Sequence, residues 1–338
     1  MSGLPRPVDA MPLIGREAAE TALREAALSG RLHHGWIIAG PQGSGKATLA
    51  YRFARFLLSG GVGEGLDSDP EHPAARQIAA GSHPGLLVIE APEPEPGRRA
   101  GAIPVENVRR IGRFLGSTAS DGGWRIVLID PADGLNRNGQ NAILKLLEEP
   151  PEKSLFLIVA HQPGRLLPTI RSRCRQLDLP PLGGEEMRRI LAEAGFPDGD
   201  ETSAALRFSG GDVERAAAIL SGDFGDALTK LGAIVDQLPD LDTELAFSYS
   251  DDAGRRGAEA LFDMTMDTLL DWLRLAARER AALVPAGKLA PYGELWEKIA
   301  ARTATTRGFN LDRSHCILAS LFDIQERLGP HSGVRRAG

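Results

Sequence analysis

Cysteine is nearly missing from this sequence of 338 residues, which carries only Cys174 and Cys316. The two lie far apart and neither belongs to a C-x-x-C pair, so neither a zinc-binding spacing nor a disulfide framework is present. A reducing cytosol suits such a chain, and zinc is not expected. Long apolar runs are missing as well. No stretch approaches the roughly 20 residues that span a bilayer, and the opening MSGLPRPVDAMPLIG lacks the uninterrupted apolar centre of a signal peptide. Secretion and membrane insertion are therefore not expected, and a cytoplasmic location is. Nor is there an excess of positive charge. A formal net charge of −6 argues against a protein that grips phosphates over its whole surface, so any DNA contact would be local. There is no internal repeat, and compositional bias is confined to the Pro/Glu/Gly-rich stretch 91–101.

What is present is an ordinary globular composition, 42% hydrophobic and 25% charged, long enough for two or three domains. Short, partly β-branched apolar runs at 36–39, 86–89, 126–129 and 155–159 are separated by helical patterns, as buried parallel strands are. The apolar residues of 46–58 and of 141–148 recur at helical spacing. The second of these stops before Pro150, which biases Glu149 out of the helical region. Stretches 60–69 and 91–101 read as exposed loops. After Leu179 a Pro- and Gly-rich linker opens a helical second half. Short helices at 185–194 and 214–220 flank the turn Ser209-Gly210-Gly211, and longer apolar stripes follow through Phe262, Met266, Leu269 and Leu273, and through Ile317, Leu321, Ile324 and Leu328. Those stripes suit the core of a helical bundle, or partly a face packed on sister subunits. The expected division is an α/β domain with a parallel sheet over 1–180, a small helical lid over 181–225 and an all-α domain over 226–338.

Gly40-Pro41-Gln42-Gly43-Ser44-Gly45-Lys46 fits G-x-x-x-x-G-K, with a strand before it and a helix after it. In such a loop the glycines let backbone N–H groups turn inward around a phosphate, the helix N-terminus adds its dipole, and Lys46 reaches the outer phosphates. ATP is the ligand this pattern implies, with Gly40, Gly43, Gly45 and Lys46 as its contacts. The next position normally supplies a hydroxyl to Mg²⁺, but here it is Ala47. Thr48, also a candidate contact, comes one residue late and is turned about 100° around the helix. A second motif, Ile126-Val127-Leu128-Ile129-Asp130, is an apolar strand ending in a carboxylate that belongs beside bound nucleotide. Hydrolytic motors follow this Asp with a Glu that polarises water, and here Pro131 stands instead. Asp133, beyond that proline, reads as a turn or cap residue rather than a base. Binding of nucleotide can survive these two changes where turnover does not.

Leu147-Glu148-Glu149-Pro150-Pro151 and, later, Leu166-Leu167-Pro168-Thr169-Ile170-Arg171-Ser172-Arg173-Cys174 complete the pattern. Together with the phosphate loop and Asp130 they resemble bacterial DNA clamp-loader subunits of the AAA+ group and, because of Ala47 and Pro131, their delta prime branch rather than the gamma/tau motors. The resemblance implies an AAA+ core, a helical lid and a C-terminal collar that joins subunits in a ring. It also implies gamma/tau and delta subunits as partners, with the sliding clamp and primed DNA met through the complex. Arg173 matches the arginine that such subunits extend in trans to the γ-phosphate held by a neighbour. Arg215 matches the position of a lid arginine that touches nucleotide in cis, and reads equally well as a helix-surface residue. Related subunits often carry a four-cysteine zinc module before the second motif. This chain has no cysteine there, and His72 and His83 lack thiolate partners. Cys174 and His161 read as structural. Two other functions remain open at this stage: an autonomous ATPase motor with a water-only Mg²⁺ shell, and a nucleotide-dependent DNA-binding module, which the acidic balance disfavours.

Overall fold

The computed structural model describes residues 4–9, 12–61, 65–90, 103–116, 123–222, 224–281 and 284–329. The expected loop at 91–101 lies outside them, as does part of 60–69. Contacts divide the chain into two compact units: Leu4–Gly195 with Gly211–Glu214, and Phe196–Gly210 with Arg215–Gly338. The segment 181–225 is thus shared between the two.

The first unit runs α1 (Glu17–Leu28), β1 (Gly35–Ala39), α2 (Lys46–Leu58), α3 (Pro73–Ala79), β2 (Leu86–Glu90), α4 (Val105–Gly116), β3 (Arg125–Asp130), α5 (Arg137–Glu148), β4 (Ser154–Ala160), α6 (Pro168–Arg171), β5 (Arg175–Asp178) and α7 (Gly184–Glu193). Its five strands are parallel, in the order β2-β3-β4-β1-β5. Because side chains alternate across a strand, this sheet serves two cores. Trp36, Ile38, Ile126, Leu128, Leu155 and Leu157 pack with Leu23 of α1 and Leu49 and Phe53 of α2 on one face. Ile37, Val127, Ile129, Phe156 and Ile158 pack with Ile111 of α4 and Ile143 and Leu147 of α5 on the other. Burial on both faces explains why the central strands read as continuous apolar runs. Helices on both faces of a parallel sheet, with the phosphate loop following β1, agree with the α/β core that the sequence led us to expect. The strand β5 escapes the sequence pattern. Arg-Gln-Leu-Asp at the sheet edge is mostly exposed and needs no apolar run.

The second unit is wholly helical among the described residues. It comprises α8 (Asp200–Ser209), most of α9 (Val213–Leu220), α10 (Gly225–Gln237), α11 (Thr243–Gly254), α12 (Glu259–Ala281), α13 (Ala290–Phe309) and α14 (Arg313–Leu328). The two apolar stripes meet in one core. Phe262, Met266, Leu269 and Leu273 of α12 and Ile317, Leu321 and Ile324 of α14 are all buried there with Tyr249. Tyr249 carries its hydroxyl into that core and satisfies it on Thr265, as a buried phenol must. Asp242 and Asp312 cap α11 and α14 by accepting backbone N–H groups with their side chains. No helix among the described residues is long and apolar enough to cross a membrane.

Candidate functional site

The loop after β1 is shaped by close approaches that side chains would block. A Cβ on Gly40 would lie 2.4 Å from the Leu179 carbonyl oxygen. One on Gly43, whose φ is +69°, would lie 2.2 Å from Oδ1 of Asp212. Gly45 ends the turn in a left-handed conformation and α2 starts at Lys46, so the N–H groups of its first turn open toward the loop. Lys46 is buried and its ammonium turns back on the loop, donating to the Pro41 carbonyl and, at 3.4 Å, to Ser44 Oγ. Burial pulls its pKa below the usual lysine value, opposed by the carboxylates of Asp130, Asp133, Asp212 and Glu214.

A cavity of about 300 Å³ lies beside the loop, at the small end of the range for ligand pockets. Gln42 to Thr48 form one wall, and Leu13, Ile14, Leu182 and Ile190 form an apolar one. Asp130 and His161 also face it. The carboxyl of Asp130 is pushed up to about 6, first by burial and then by Glu90, its neighbour across the β2–β3 pairing. His161 is held below the ordinary imidazole range, first by burial and then by Lys46.

Asp133 serves the scaffold. Its two oxygens accept the backbone N–H groups of His161 at 2.5 Å and Gln162 at 3.1 Å, tying the turn after β3 to the end of β4. Both oxygens are thereby held by the backbone of the scaffold. Asp133→Ala is expected to lower stability by about 1–3 kcal/mol, the cost of orphaning partly buried donors. Urea titration of the two chains measures it, and a change within error would mean that water replaces the carboxylate.

Magnesium-bound nucleotide is the ligand that the loop sequence implies, and the donor set fits it only in part. The glycine cradle, Lys46 and the apolar wall suit phosphates and a base. The metal finds a methyl at Ala47 and a proline ring at Pro131, with Asp130 the one carboxylate of the motif left to it. The carboxylate of Asp212 lies against Gly43 and so adds negative charge beside the loop. These residues do not fit a metal nucleotide poised for hydrolysis.

Arg173 lies just after the short helix α6. Its Nη2 is 2.8 Å from Oε1 of Glu148 at the end of α5, and its Nη1 donates to the Thr169 carbonyl at 3.1 Å. The side chain remains 36% exposed. The two runs that were read separately, one containing Glu148 and the other Arg173, are therefore in contact. Beside them the thiol of Cys174 packs under Gly35 and burial pushes its pKa up to about 12, which leaves it protonated and unreactive. Arg215 belongs to the helical unit, where its Nη1 is 3.1 Å from Asp267 and its Nη2 donates to the Met264 carbonyl at 3.2 Å. His72 and His83 each accept a backbone N–H, from Ala74 and Gly85 respectively. Among the described residues no group of His, Cys, Asp and Glu is placed to hold a metal.

The family model described as DNA polymerase III, delta subunit, matches residues 15–183, half of the chain. The chain belongs to that family. Within the DNA polymerase III delta family it is 39% identical to DNA polymerase III subunit delta' of Pseudomonas aeruginosa over 194 residues, which is 54% of this chain and 55% of that one. It is 33% identical to subunit delta' of Escherichia coli K12 over 195 residues, 58% and 57% of the two chains. Subunit tau of Escherichia coli K12 is 32% identical over 188 residues, 55% of this chain and 28% of that one. The chain spans about half the length of the delta' relatives it matches.

One residue of this delta-family site carries no motif. Arg16 is buried, donating from Nε to the Ser44 carbonyl at 3.0 Å and from Nη2 to the Pro180 carbonyl at 2.7 Å. It bridges the phosphate loop and the linker after β5. A lone arginine after a glycine gives no sequence signal for that role, because its acceptors are backbone carbonyls brought close only by the fold.

Proposed function

We propose that this chain is a non-motor, delta prime-type subunit of a bacterial replicative clamp loader, which holds motor and delta subunits in a ring and completes a neighbour's ATP site through Arg173. One observation carries the reading. A single folded unit combines a phosphate loop stripped of its Mg²⁺ hydroxyl and catalytic Glu with a pre-oriented, solvent-reachable arginine. A guanidinium suits service in trans because it stays charged and its planar fork matches phosphate oxygens. The similarity to delta' and tau subunits of DNA polymerase III supports gamma/tau as the motor partners, with delta, the sliding clamp and primed DNA met in the complex. The helical unit acts as the collar, and the location is cytoplasmic.

The test is ATP hydrolysis stimulated by clamp and primed DNA. The isolated chain is expected to turn over no ATP above background, while a loader reconstituted with Arg173→Ala assembles but hydrolyses more slowly than one with the unaltered chain. Appreciable turnover by the isolated chain would instead favour an autonomous motor. Unchanged turnover with Arg173→Ala would leave the arginine a scaffold residue.

A further inference from the structure

Glu148 occupies an unfavourable place. It is the last residue of α5, where the partial negative charge of the helix C-terminus repels a carboxylate, and Glu149 follows it immediately. Helix stability therefore does not account for an anion there. What it faces is Arg173, 2.8 Å away from α5 on a different element. The pair is open to water, Arg173 being 36% and Glu148 50% exposed, and exposed pairs contribute little to folding. Their effect on geometry is larger. Arginine has many rotamers, and a guanidinium held at both Nη atoms by acceptors from different elements has few.

The anchoring continues below the guanidinium. The Arg173 N–H donates to the carbonyl of Ile170 at 3.0 Å, and Ile170 is buried in the core under α5 and β4. Nη1 meets the Thr169 carbonyl, one of the acceptors that the end of the four-residue helix α6 leaves without a helical partner. Glu148 and Thr169 engage two of the five guanidinium N–H groups. The other three have no partner among the described residues, and the side chain keeps 36% of its surface exposed.

We infer that Glu148 is a positioning residue for Arg173: its carboxylate and the Thr169 carbonyl hold the guanidinium plane in one orientation before the neighbour's phosphate arrives. This rests on the proposed role of Arg173 in trans and adds to it the group that aims the finger. Correct aim matters most for charge that develops in the transition state, so removing Glu148 lowers kcat and leaves KM for ATP nearly unchanged.

The experiment uses loaders reconstituted with the full chain carrying Glu148→Gln, Arg173→Ala, or both, with assembly checked by sedimentation and steady-state ATP hydrolysis measured with clamp and primed DNA. Glu148→Gln keeps the shape of the side chain and removes its charge. It is expected to lower kcat at the served site about 10-fold, in keeping with the cost of a displaced catalytic group, with KM within about twofold. In the Arg173→Ala background it should have no further effect, because the residue it aims is gone. Glu148→Asp, which restores the charge on a shorter stem, should recover part of the loss. The inference is overturned if Arg173→Ala lowers kcat but Glu148→Gln does not, or if Glu148→Gln lowers KM and raises turnover, which would make Glu148 a competitor of the phosphate. It is equally overturned if the two changes are additive. If Arg173→Ala itself changes nothing, the role in trans fails first and is recognised by that result alone.

Discussion

On the proposed role in trans, a loader carrying Arg173→Lys is expected to hydrolyse ATP at the neighbour's site about 10³-fold more slowly, nearly as slowly as one carrying alanine. Arginine fingers contribute about 10³ to 10⁵ in rate in other phosphoryl-transfer systems. That contribution depends on two N–H groups meeting phosphate oxygens in one plane, and lysine offers a point charge on a flexible stem. In this chain lysine would also lose the two-point hold of Glu148 and the Thr169 carbonyl, since one ammonium cannot reproduce the spread of Nη1 and Nη2. The measurement is single-turnover hydrolysis in assembled loaders, with the total rate falling less than the served site because other sites are unaffected. A lysine chain that kept half of the rate would show that charge alone suffices and that the fork geometry is immaterial.

The second large effect is on stability, at Asp130. Its folded pKa of about 6 lies above the ordinary 3.8 because burial and Glu90 oppose ionisation more than Lys46 favours it. Between these values the folded chain holds a proton that the unfolded chain has released. Stability contributed by this group is therefore present at low pH and is lost as pH rises from about 4 to about 6. At about 1.4 kcal/mol per pH unit the loss is on the order of 3 kcal/mol. Asp130→Asn removes the charge that has to be buried, so it should match the parent near pH 4 and exceed it by about 3 kcal/mol above pH 7. Urea unfolding of both chains at pH 4.5 and 7.5 reads the difference directly. Equal stability at both values would mean that the Asp130 carboxylate is solvated in the folded state.

Much of this architecture is written in the order of the residues. Helix α2 was legible to its ends because a glycine turn starts it and its apolar residues recur at helical spacing, although the fold buries it on nearly every side, Arg52 and Arg55 included. Strands β1, β3 and β4 were legible because both faces of a central parallel strand are apolar, and β2, at the sheet edge, from its apolar run alone. Helix α5 was recognised only from its second turn, since Arg137 to Gln140 are polar and the helix is opened by a side-chain cap from Asn136 to the Gly139 N–H. Helix α13 left almost no stripe, for two of its buried positions are Thr303 and Thr306, whose hydroxyls the pattern counts as polar. Thr303 satisfies its hydroxyl within the helix, on the Ile299 carbonyl.

Lys46 and Asp130 were singled out because chemistry demands a type at a spacing, and both line the cavity beside the loop, whereas Arg173 was singled out only through the resemblance. The losses at Ala47 and Pro131 were legible for the same reason as Lys46 and Asp130. Contacts set by the fold were not. Glu148 with Arg173, Asp212 against Gly43 and Arg16 between two carbonyls each join residues at least 25 positions apart, and no local pattern encodes such a meeting. Arg215 was left even by the sequence, and within the helical unit it meets Asp267 and the Met264 carbonyl of α12.

The bridge made by Arg16 has a mechanical meaning. The phosphate loop and the chain leading out of β5 are far apart in sequence, and a contact between them fixes their spacing. Here one buried guanidinium joins Ser44 to Pro180 through their carbonyls, and breaking either bond would leave a buried charge without its partner. Parting the phosphate loop from the linker would therefore carry the cost of uncovering Arg16, and the two are fastened together directly.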